Sequence, residues 1–327
     1  MDNKENGFGG TVLMANFFKS VGRGIFGGIK KVGHYFYSRM FERKTVSEIV
    51  VNFIVLAIFC FFAFTYLYIF YFVFINGLKS HNDCMINPWG LPEKIHFENY
   101  RYLLKEFLVY EGMPYQHNFW QMLFNSLMFS IPGNIMNLLF TSMAAYVTSK
   151  YRFKGASFFY ALTLFIMMFP IYSTGGASYK LAFKLGNINS YRVILFAWGG
   201  FNSAYLYMYA TFKGVSSTYM EAAKIDGAND YVIFFRIMLP QIIGLLVSLF
   251  IMGWIGEWNS YSSVLVTQKK LPTLAGGIYL FQSETNSTVR QHILYAAYFL
   301  VSIPPLILFA SFNKLLSTSV SIGGIKE

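Results

Sequence analysis

The sequence predicts an all-α integral membrane protein with six transmembrane helices, because its composition is apolar and its uncharged stretches are long. Of the 327 residues, 55% are hydrophobic, 20% are aromatic and only 13% are charged, whereas soluble domains carry about a quarter charged residues. The mean hydropathy is +0.43. Lipid is therefore the predicted solvent for much of the surface, with aromatic rings gathered at both membrane interfaces.

Six segments are long and apolar enough to cross a bilayer, which takes about 20 residues as a helix. The second contains Pro132 and Gly133, a pair that is expected to bend it, and Pro304 and Pro305 lie near the middle of the sixth. Glu257 interrupts the fifth segment. The predicted spans are 49–78, 118–149, 156–179, 193–212, 237–262 and 291–313.

The positive charges between the spans predict the orientation. Six spans place both termini on one side, and the connections on that side carry 16 of the 26 Lys and Arg residues, against ten on the other. Because cytoplasmic loops are enriched in Lys and Arg, both termini are predicted to be cytoplasmic in a plasma or inner membrane. The same distribution accounts for the net charge of +11 without a nucleic-acid partner.

The chain is predicted to divide into a basic N-terminal segment, 1–48, and a transmembrane domain, 49–327. Between Phe18 and Phe36, apolar residues recur at spacings of three and four among basic ones, which favours a helix lying in the cytoplasmic interface. Gly22, Gly24, Gly27 and Gly28 weaken a helix in this stretch, so a disordered basic tail stays open as the alternative.

The segment 216–242, between the fourth and fifth spans, is too polar for a span and carries the signals of short helices. Thr218 and Glu221 have the spacing of a capping box. Gly227 supplies the left-handed conformation that ends a helix, and Pro240 marks the turn into the fifth span. A short helix that ends in a tight turn is therefore predicted on the cytoplasmic side.

The spacing in this segment resembles the loop signature of ABC-importer permeases: Glu-Ala-Ala, three residues, Gly, nine residues, Ile, one residue, Leu-Pro. The signature falls here on Glu221-Ala222-Ala223, Gly227, Ile237 and Leu239-Pro240. One departure is Val215-Ser216, where the family usually has Ile-Pro.

The likeness to the maltose-type carbohydrate-uptake permeases extends from about 119 to 326 of the chain. It is carried by Asn125-Ser126-Leu127, Ala144-Ala145-Tyr146, Met167-Met168-Phe169-Pro170, Ile225-Asp226-Gly227-Ala228, Trp258-Asn259, Pro272-Thr273-Leu274 and Ile303-Pro304-Pro305. The resemblance implies a type I ABC-importer permease fold, with 49–327 as the permease domain and a cytoplasmic coupling helix between the fourth and fifth spans.

In that family the coupling helix docks into a groove on a separate ATPase subunit. The resemblance therefore implies a coupling role for Glu221, Ala222, Ala223, Asp226, Gly227, Leu239 and Pro240. From the residues themselves, the two alanines permit another surface to approach closely. Glu221 can pair with a cation on a partner, or merely cap its own helix.

The resemblance also implies the partners. These are a second permease subunit in a pseudo-symmetric heterodimer, two ATP-binding subunits that hold ATP and Mg, an extracytoplasmic solute-binding protein and the lipid bilayer. The outer loop 79–117, with Glu93 and Glu98, and the segment 267–290 are predicted to receive the binding protein. The chain itself is predicted to be non-catalytic, with no cofactor or metal: Gly22 and Gly27 have Walker A spacing, but Gly28 stands where Lys is required.

Four candidate residues of the substrate pathway cluster at the end of the fifth span: Glu257, Trp258, Asn259 and Tyr261. Asn125, in the second span, is a further candidate. An ionisable side chain near a membrane span is energetically costly, so its presence suggests a functional site. An aromatic face beside amides suits sugar rings and hydroxyls. The alternative is an interfacial aromatic belt containing Trp258, with Glu257 in water. Asn125, Asn134 and Asn137 can equally bond neighbouring helices together.

The predicted function is a permease subunit that forms half of the uptake pathway for a sugar or oligosaccharide. An ABC-importer permease for an amino acid, phosphate or polyamine is one alternative. An ion-driven secondary transporter is another, although such proteins often have repeated halves and several internal acids, and Glu257 is the single candidate internal acid in this sequence. A structural membrane scaffold would need no coupling loop.

Overall fold

The computed structural model describes residues 46–109, 114, 116–169, 175–197, 199–284 and 290–322. These residues are mostly helical, as predicted, apart from one short antiparallel strand pair in which Leu108 lies opposite Asn118. The chain divides into two compact units, one ending at Tyr71 and the other beginning at Phe72. The predicted interfacial helix between Phe18 and Phe36 lies outside the described residues.

The helices fall into three long elements and a series of shorter ones. A 3₁₀ turn, Tyr191–Phe196, precedes α7, and the strands are β1 (Leu108–Val109) and β2 (His117–Asn118). The helices are α1 (Val46–Gly77), α2 (His81–Ile86), α3 (Glu98–Lys105), α4 (Phe119–Lys150), α5 (Ala156–Met168), α6 (Gly175–Lys184), α7 (Ser203–Gly214), α8 (Thr218–Ile225), α9 (Asp230–Gln241), α10 (Ile243–Asn259), α11 (Ser262–Thr267), α12 (Leu274–Glu284) and α13 (Gln291–Ile322).

Three helices, α1, α4 and α13, are each long and apolar enough to cross a membrane. They match the first, second and sixth predicted spans, although α13 continues to Ile322, beyond the predicted end at 313. Helix α4 begins at a capping box in which Asn118 and Gln121 each accept a backbone N–H bond from the other. It runs through Pro132 as one helix.

The third and fourth predicted spans are wrong as continuous helices, because each is interrupted within the described residues. Helix α5 has only 13 residues, and α6 extends into the predicted loop. Between the 3₁₀ turn and α7, the described residues, which include Gly199, are not helical. A Cβ at Gly199 would overlap the Thr141 side chain and the Asn137 backbone of α4. Close approach to α4, rather than helix formation, therefore decides the conformation here.

The fifth predicted span is also broken. Helices α9 and α10 meet at an angle of 78°, and the break falls at Ile242. Pro240 lies in the first turn of the last short stretch of α9, where it cannot donate a backbone hydrogen bond. Taken as one bent span, α9 and α10 raise the candidate spans among the described residues from three to four. The count of six stays a prediction.

Helix α4 is the centre of the packing, because α7, α10 and the 3₁₀ turn all lie against it. Two groups of buried apolar residues result. The Trp254 cluster joins Leu103, Met122, Trp254, Trp258, Leu274 and Ala296. The Tyr205 cluster joins Ala145, Tyr146, Tyr205, Met208, Phe212, Ala223, Ile233 and Met238. The second cluster anchors the loop helix α8, since Ala223 belongs to it.

Candidate functional site

The loop helix α8 ends as the sequence predicts, at a left-handed glycine. Gly227 has φ +78°, a conformation that costs residues with a Cβ about 1–2 kcal/mol. The Ala228 N–H donates to the Ala223 carbonyl at 2.9 Å, and the Gly227 N–H donates to the Lys224 carbonyl at 3.1 Å. These two bonds form a Schellman motif, which fixes the direction of the chain as it leaves α8.

The start of α8 differs from the prediction. Ser217, not Thr218, is the N-cap, and its side chain makes no capping bond. The Ser216 hydroxyl instead accepts a hydrogen bond from the Thr218 N–H at 3.2 Å. The predicted capping box of Thr218 and Glu221 is therefore wrong, because the helix begins one residue earlier in register than that motif requires.

The two faces of α8 have different surroundings. Ala223 is 6% exposed within the Tyr205 cluster, so the helix is held from one side. Glu221, Ala222 and Asp226 are exposed, and Ile225 is 87% exposed. The described residues therefore leave the outer face of α8, which includes Ala222 and Ile225, uncovered.

Charges and rings tie α8 to its neighbours. The Lys224 ammonium lies 3.7 Å from the Asp230 carboxylate and 5.4 Å from the centre of the Tyr151 ring. The Tyr151 hydroxyl donates to Asp230 Oδ1 at 2.8 Å. Burial and hydrogen bonds with Tyr146 and Asp230 raise the pKa of the Tyr151 hydroxyl, so it stays a neutral donor. This arrangement was missing from the sequence-based prediction, because Tyr151 and Asp230 are far apart in the chain.

Beyond Gly227 the chain leads directly into the bent helix pair. The Asn229 side chain caps α9 by accepting from the Val232 N–H at 2.9 Å. Residues Ile233–Met238 form a π-helical stretch, a feature that often accompanies functional sites. Leu239 packs on the Tyr205 cluster, and Pro240 follows it just before the 78° bend. The signature residues therefore form a continuous connection from α8 to α10.

A cleft of about 490 Å³ lies beside the middle of α4. Its walls come from α4, the 3₁₀ turn, α10 and the residues around Gln268. Among the side chains that line it are Phe129, Asn134, Asn137, Phe196, Glu257 and Gln268. Glu257 is exposed and is the one residue of the predicted 257–261 group that lines this cleft.

Asn134 both bonds two helices together and lines the cleft. Its side chain donates to the Phe250 carbonyl of α10 at 2.7 Å, so it bonds two helices, and it also lines the cleft. A Cβ on Gly253 would come within 2.6 Å of Asn134 Oδ1. The glycine therefore makes room for the asparagine at this helix crossing.

Asn125 lies away from the cleft. Its side chain is 2% exposed, donates to the Pro272 carbonyl at 2.9 Å and accepts from the Tyr191 hydroxyl. It thereby joins α4 to the 3₁₀ turn and to the segment before α12. These bonds use the side chain within the chain itself and favour the helix-bonding interpretation.

Trp258 is buried, and the predicted interfacial belt is wrong for this residue. Its side chain is 2% exposed, stacks on Trp254 with ring centres 4.9 Å apart and donates to the Val301 carbonyl at 3.2 Å. It packs α10 against α13. Since neighbouring residues of a helix point about 100° apart, Trp258 faces this core while Glu257 faces the cleft.

Asn259 and Tyr261 are exposed, but neither is among the described residues that line the cleft. The Asn259 side chain donates to the Ile255 carbonyl at 2.9 Å. Tyr261 stacks on Tyr279 with ring centres 4.7 Å apart. Sequence reasoning missed Phe196 and Gln268 as lining residues, because no motif marks them.

Comparisons with known proteins agree with this architecture. The model of the family described as "Binding-protein-dependent transport system inner membrane component" matches residues 137–322. The chain is 22% identical to a solved chain of a bacterial ABC transporter involved in the import of the acidic polysaccharide alginate, with a TM-score of 0.66 and coverage of 83% of this chain and 98% of that one. At that identity the likeness concerns the fold.

Curated relatives resemble the chain over most of their length. It is 27% identical to the arabinooligosaccharides transport system permease protein AraQ of Halalkalibacterium halodurans, covering 87% of this chain and 99% of the relative. It is 26% identical to the diacetylchitobiose uptake system permease protein NgcG of Streptomyces coelicolor, covering 77% and 81%. It is 30% identical to the galactooligosaccharides transport system permease protein GanQ of Bacillus subtilis, covering 61% and 70%. With a family match that spans more than half of its length, the chain belongs to the binding-protein-dependent transport system inner membrane components.

Proposed function

We propose that this chain forms half of the membrane pathway of an ATP-driven importer for a neutral sugar or oligosaccharide, and that α8 couples it to a separate ATPase. Its relatives support the cargo class, since they are permease proteins of systems for arabinooligosaccharides, diacetylchitobiose and galactooligosaccharides. The solved chain of similar fold belongs to an importer of an acidic polysaccharide, so fold alone leaves the charge of the cargo open.

One observation carries the coupling proposal: one face of α8 packs on the rest of the chain, and the opposite face is exposed. Ala223 and the Schellman motif hold the helix against the Tyr205 cluster, while Ile225 is 87% exposed. A partner that covers this face would move α8 as a unit. The short route through α9 to the 78° bend would pass that movement to α10 and so to the wall of the cleft.

The remaining partners follow from this role. A second permease subunit completes the pathway as a pseudo-symmetric heterodimer. Two ATP-binding subunits hold ATP and Mg and perform the hydrolysis, so this chain acts without catalytic residues of its own. An extracytoplasmic solute-binding protein docks on the outer loop 79–117, near the exposed Glu93 and Glu98. Both termini lie in the cytoplasm, as the Lys and Arg distribution favours.

The coupling proposal is tested by making α8 polar and comparing it with an equally exposed residue elsewhere. Ile225 is 87% exposed and Ile86, in the outer loop, is 85% exposed. Burying an unpaired charge in an interface costs on the order of several kcal/mol. We therefore expect Ile225→Glu to lower retention of the ATPase subunits during purification by about tenfold or more, and Ile86→Glu to leave it unchanged.

The same preparation tests the function as a whole. Reconstituted complexes with the native residue at 225 should hydrolyse ATP faster when the binding protein and arabinotriose are added. An Ile225→Glu complex that assembles normally and shows the same stimulation would contradict the coupling role. A native complex that no neutral saccharide stimulates would contradict the cargo class.

A further inference from the structure

Among the described residues that line the cleft beside α4, the charge is negative only. Glu257 is the charged residue among the described residues that line it, and its neighbours there include the amides of Asn134, Asn137 and Gln268. Within the part of the chain that the structure describes, the Glu257 carboxylate forms no side-chain hydrogen bond or ion pair. Such a carboxylate is available to a ligand that enters the cleft.

The surroundings of the Glu257 carboxylate strengthen its electric field within the cleft. Asn134 and Asn137 lie near the midpoint of the 32-residue helix α4, and Glu257 lies one helical turn beyond Gly253, which adjoins Asn134. Acids within membrane spans almost always face a cavity or the interior of a bundle. Low-dielectric walls strengthen the field of an uncompensated charge within a cleft.

The chemistry of the lining distinguishes between saccharides. Hydroxyl groups can donate to a carboxylate and exchange hydrogen bonds with the amide of Asn137, whereas the buried Gln268 amide already bonds Asn187 and Ser190. The rings of Phe129 and Phe196 offer apolar surface to sugar faces. A uronic acid would bring a second negative charge towards Glu257, and the described lining residues include no Lys, Arg or His to offset it. Arg192 adjoins the lining residue Val193 in the sequence, but is not itself part of the lining.

We propose that Glu257 is a specificity-determining residue that makes this cleft accept neutral saccharides and reject acidic ones. The inference rests on the proposed function for its cargo. It goes beyond that function because it assigns the selection between neutral and acidic saccharides to the charge of one side chain on α10. The assignment has two consequences: the cleft has a negative potential, and removing the carboxylate changes the selection between cargoes of different charge.

The first consequence is measured without any cargo, in the whole complex in nanodiscs. Ala197→Cys places a thiol in the cleft lining with little change in volume, and Asn137→Cys provides a second position. Anionic sulfonatoethyl and cationic trimethylammonioethyl methanethiosulfonates are the probes, and modification is quantified by mass spectrometry of this chain. Glu257→Gln should raise the anionic-to-cationic rate ratio about fivefold, while Glu48→Gln, at an exposed position near the start of α1, should not change it.

The second consequence is measured as uptake of arabinotriose and of trigalacturonate into proteoliposomes. The same binding protein is used throughout, so its own preference cancels when variants are compared. Glu257→Lys should raise trigalacturonate uptake relative to arabinotriose at least fivefold, and Glu48→Lys, at an exposed position near the start of α1, serves as the control. Unchanged thiol ratios at both positions, together with unchanged cargo ratios, would overturn the inference. If the thiol ratios shift but the native complex takes up neither saccharide, the sugar cargo is wrong and the charge assignment stands.

Discussion

The loop helix α8 and the cleft beside α4 differ in how far apart their residues lie in the chain. The functional residues of the loop fall between Glu221 and Pro240, whereas the cleft combines residues from Phe129 to Gln268. Local spacing is sufficient to specify a helix, its stop signal and the next turn. A cleft depends on which elements pack together, and its lining is therefore a consequence of tertiary structure.

The largest expected effect tests the packing that forms the cleft. A Cβ at Gly199 would overlap the backbone of α4, whereas the neighbouring Gly200 has nothing within 4 Å. Overpacking costs about 1–3 kcal/mol, and backbone cannot yield as a side chain does. We expect Gly199→Ala to lower the free energy of unfolding by about 3 kcal/mol in an SDS titration. Equal effects of Gly199→Ala and Gly200→Ala would contradict the close approach.

The next effect tests the local stop of α8. Gly227→Ala forces a Cβ into the left-handed region, at a cost of about 1–2 kcal/mol. Gly214, at the end of α7, has open space and no positive φ, so Gly214→Ala is the matched control. The measurements are the melting temperature of the complex and its rate of stimulated ATP hydrolysis. We expect Gly227→Ala to lower both. If it changes neither, the turn at Gly227 does not fix α8.

A smaller effect separates Trp258 from the cleft. Trp258→Phe removes the hydrogen bond to the Val301 carbonyl, which is worth about 1 kcal/mol, but keeps most of the ring packing. We expect lower thermal stability and an unchanged apparent KM for saccharide uptake. Tyr261→Phe, at an exposed ring, should change neither quantity. A raised KM with unchanged stability would return Trp258 to the substrate pathway.

The smallest effect is expected at the ion pair that ties α8 to α9. The Lys224 and Asp230 side chains are 48% and 64% exposed, and exposed pairs contribute about 0–1 kcal/mol. Asp230→Asn should therefore lower the melting temperature by no more than a few degrees, and salt should reduce the difference between the two proteins. A loss as large as that of Gly199→Ala would mean that this pair organises the loop.

Much of the fold could be predicted from the sequence, because several signals are local. Uncharged stretches predicted α1, α4 and α13 within a few residues, apart from the longer C-terminal end of α13. Gly227 predicted the end of α8. The middle of the chain differed because the absence of charge does not require a continuous helix. The contact of Gly199 with α4 and the bend at Ile242 both depend on neighbouring elements.

The candidate site could be predicted only in part, for the same reason. Glu257 was identified because an acid beside an apolar span is unusual, and it lines the cleft. Trp258, the next residue, points into the core. The sequence alone cannot reveal that difference, because it depends on which face of α10 packs against α13. Gln268 carries no signal in the sequence, since it reaches the cleft through the packing of the segment around it.

The most direct test of the central claim is a photocrosslinking measurement on α8 in the assembled transporter. A benzophenone amino acid replaces Ile225, which is exposed, or Ala223, which is 6% exposed in the Tyr205 cluster. We expect the probe at 225 to crosslink to an ATP-binding subunit and the probe at 223 to crosslink within this chain. Crosslinks from 225 to lipid, to the second permease or to this chain, with none to the ATP-binding subunit, would contradict the coupling role.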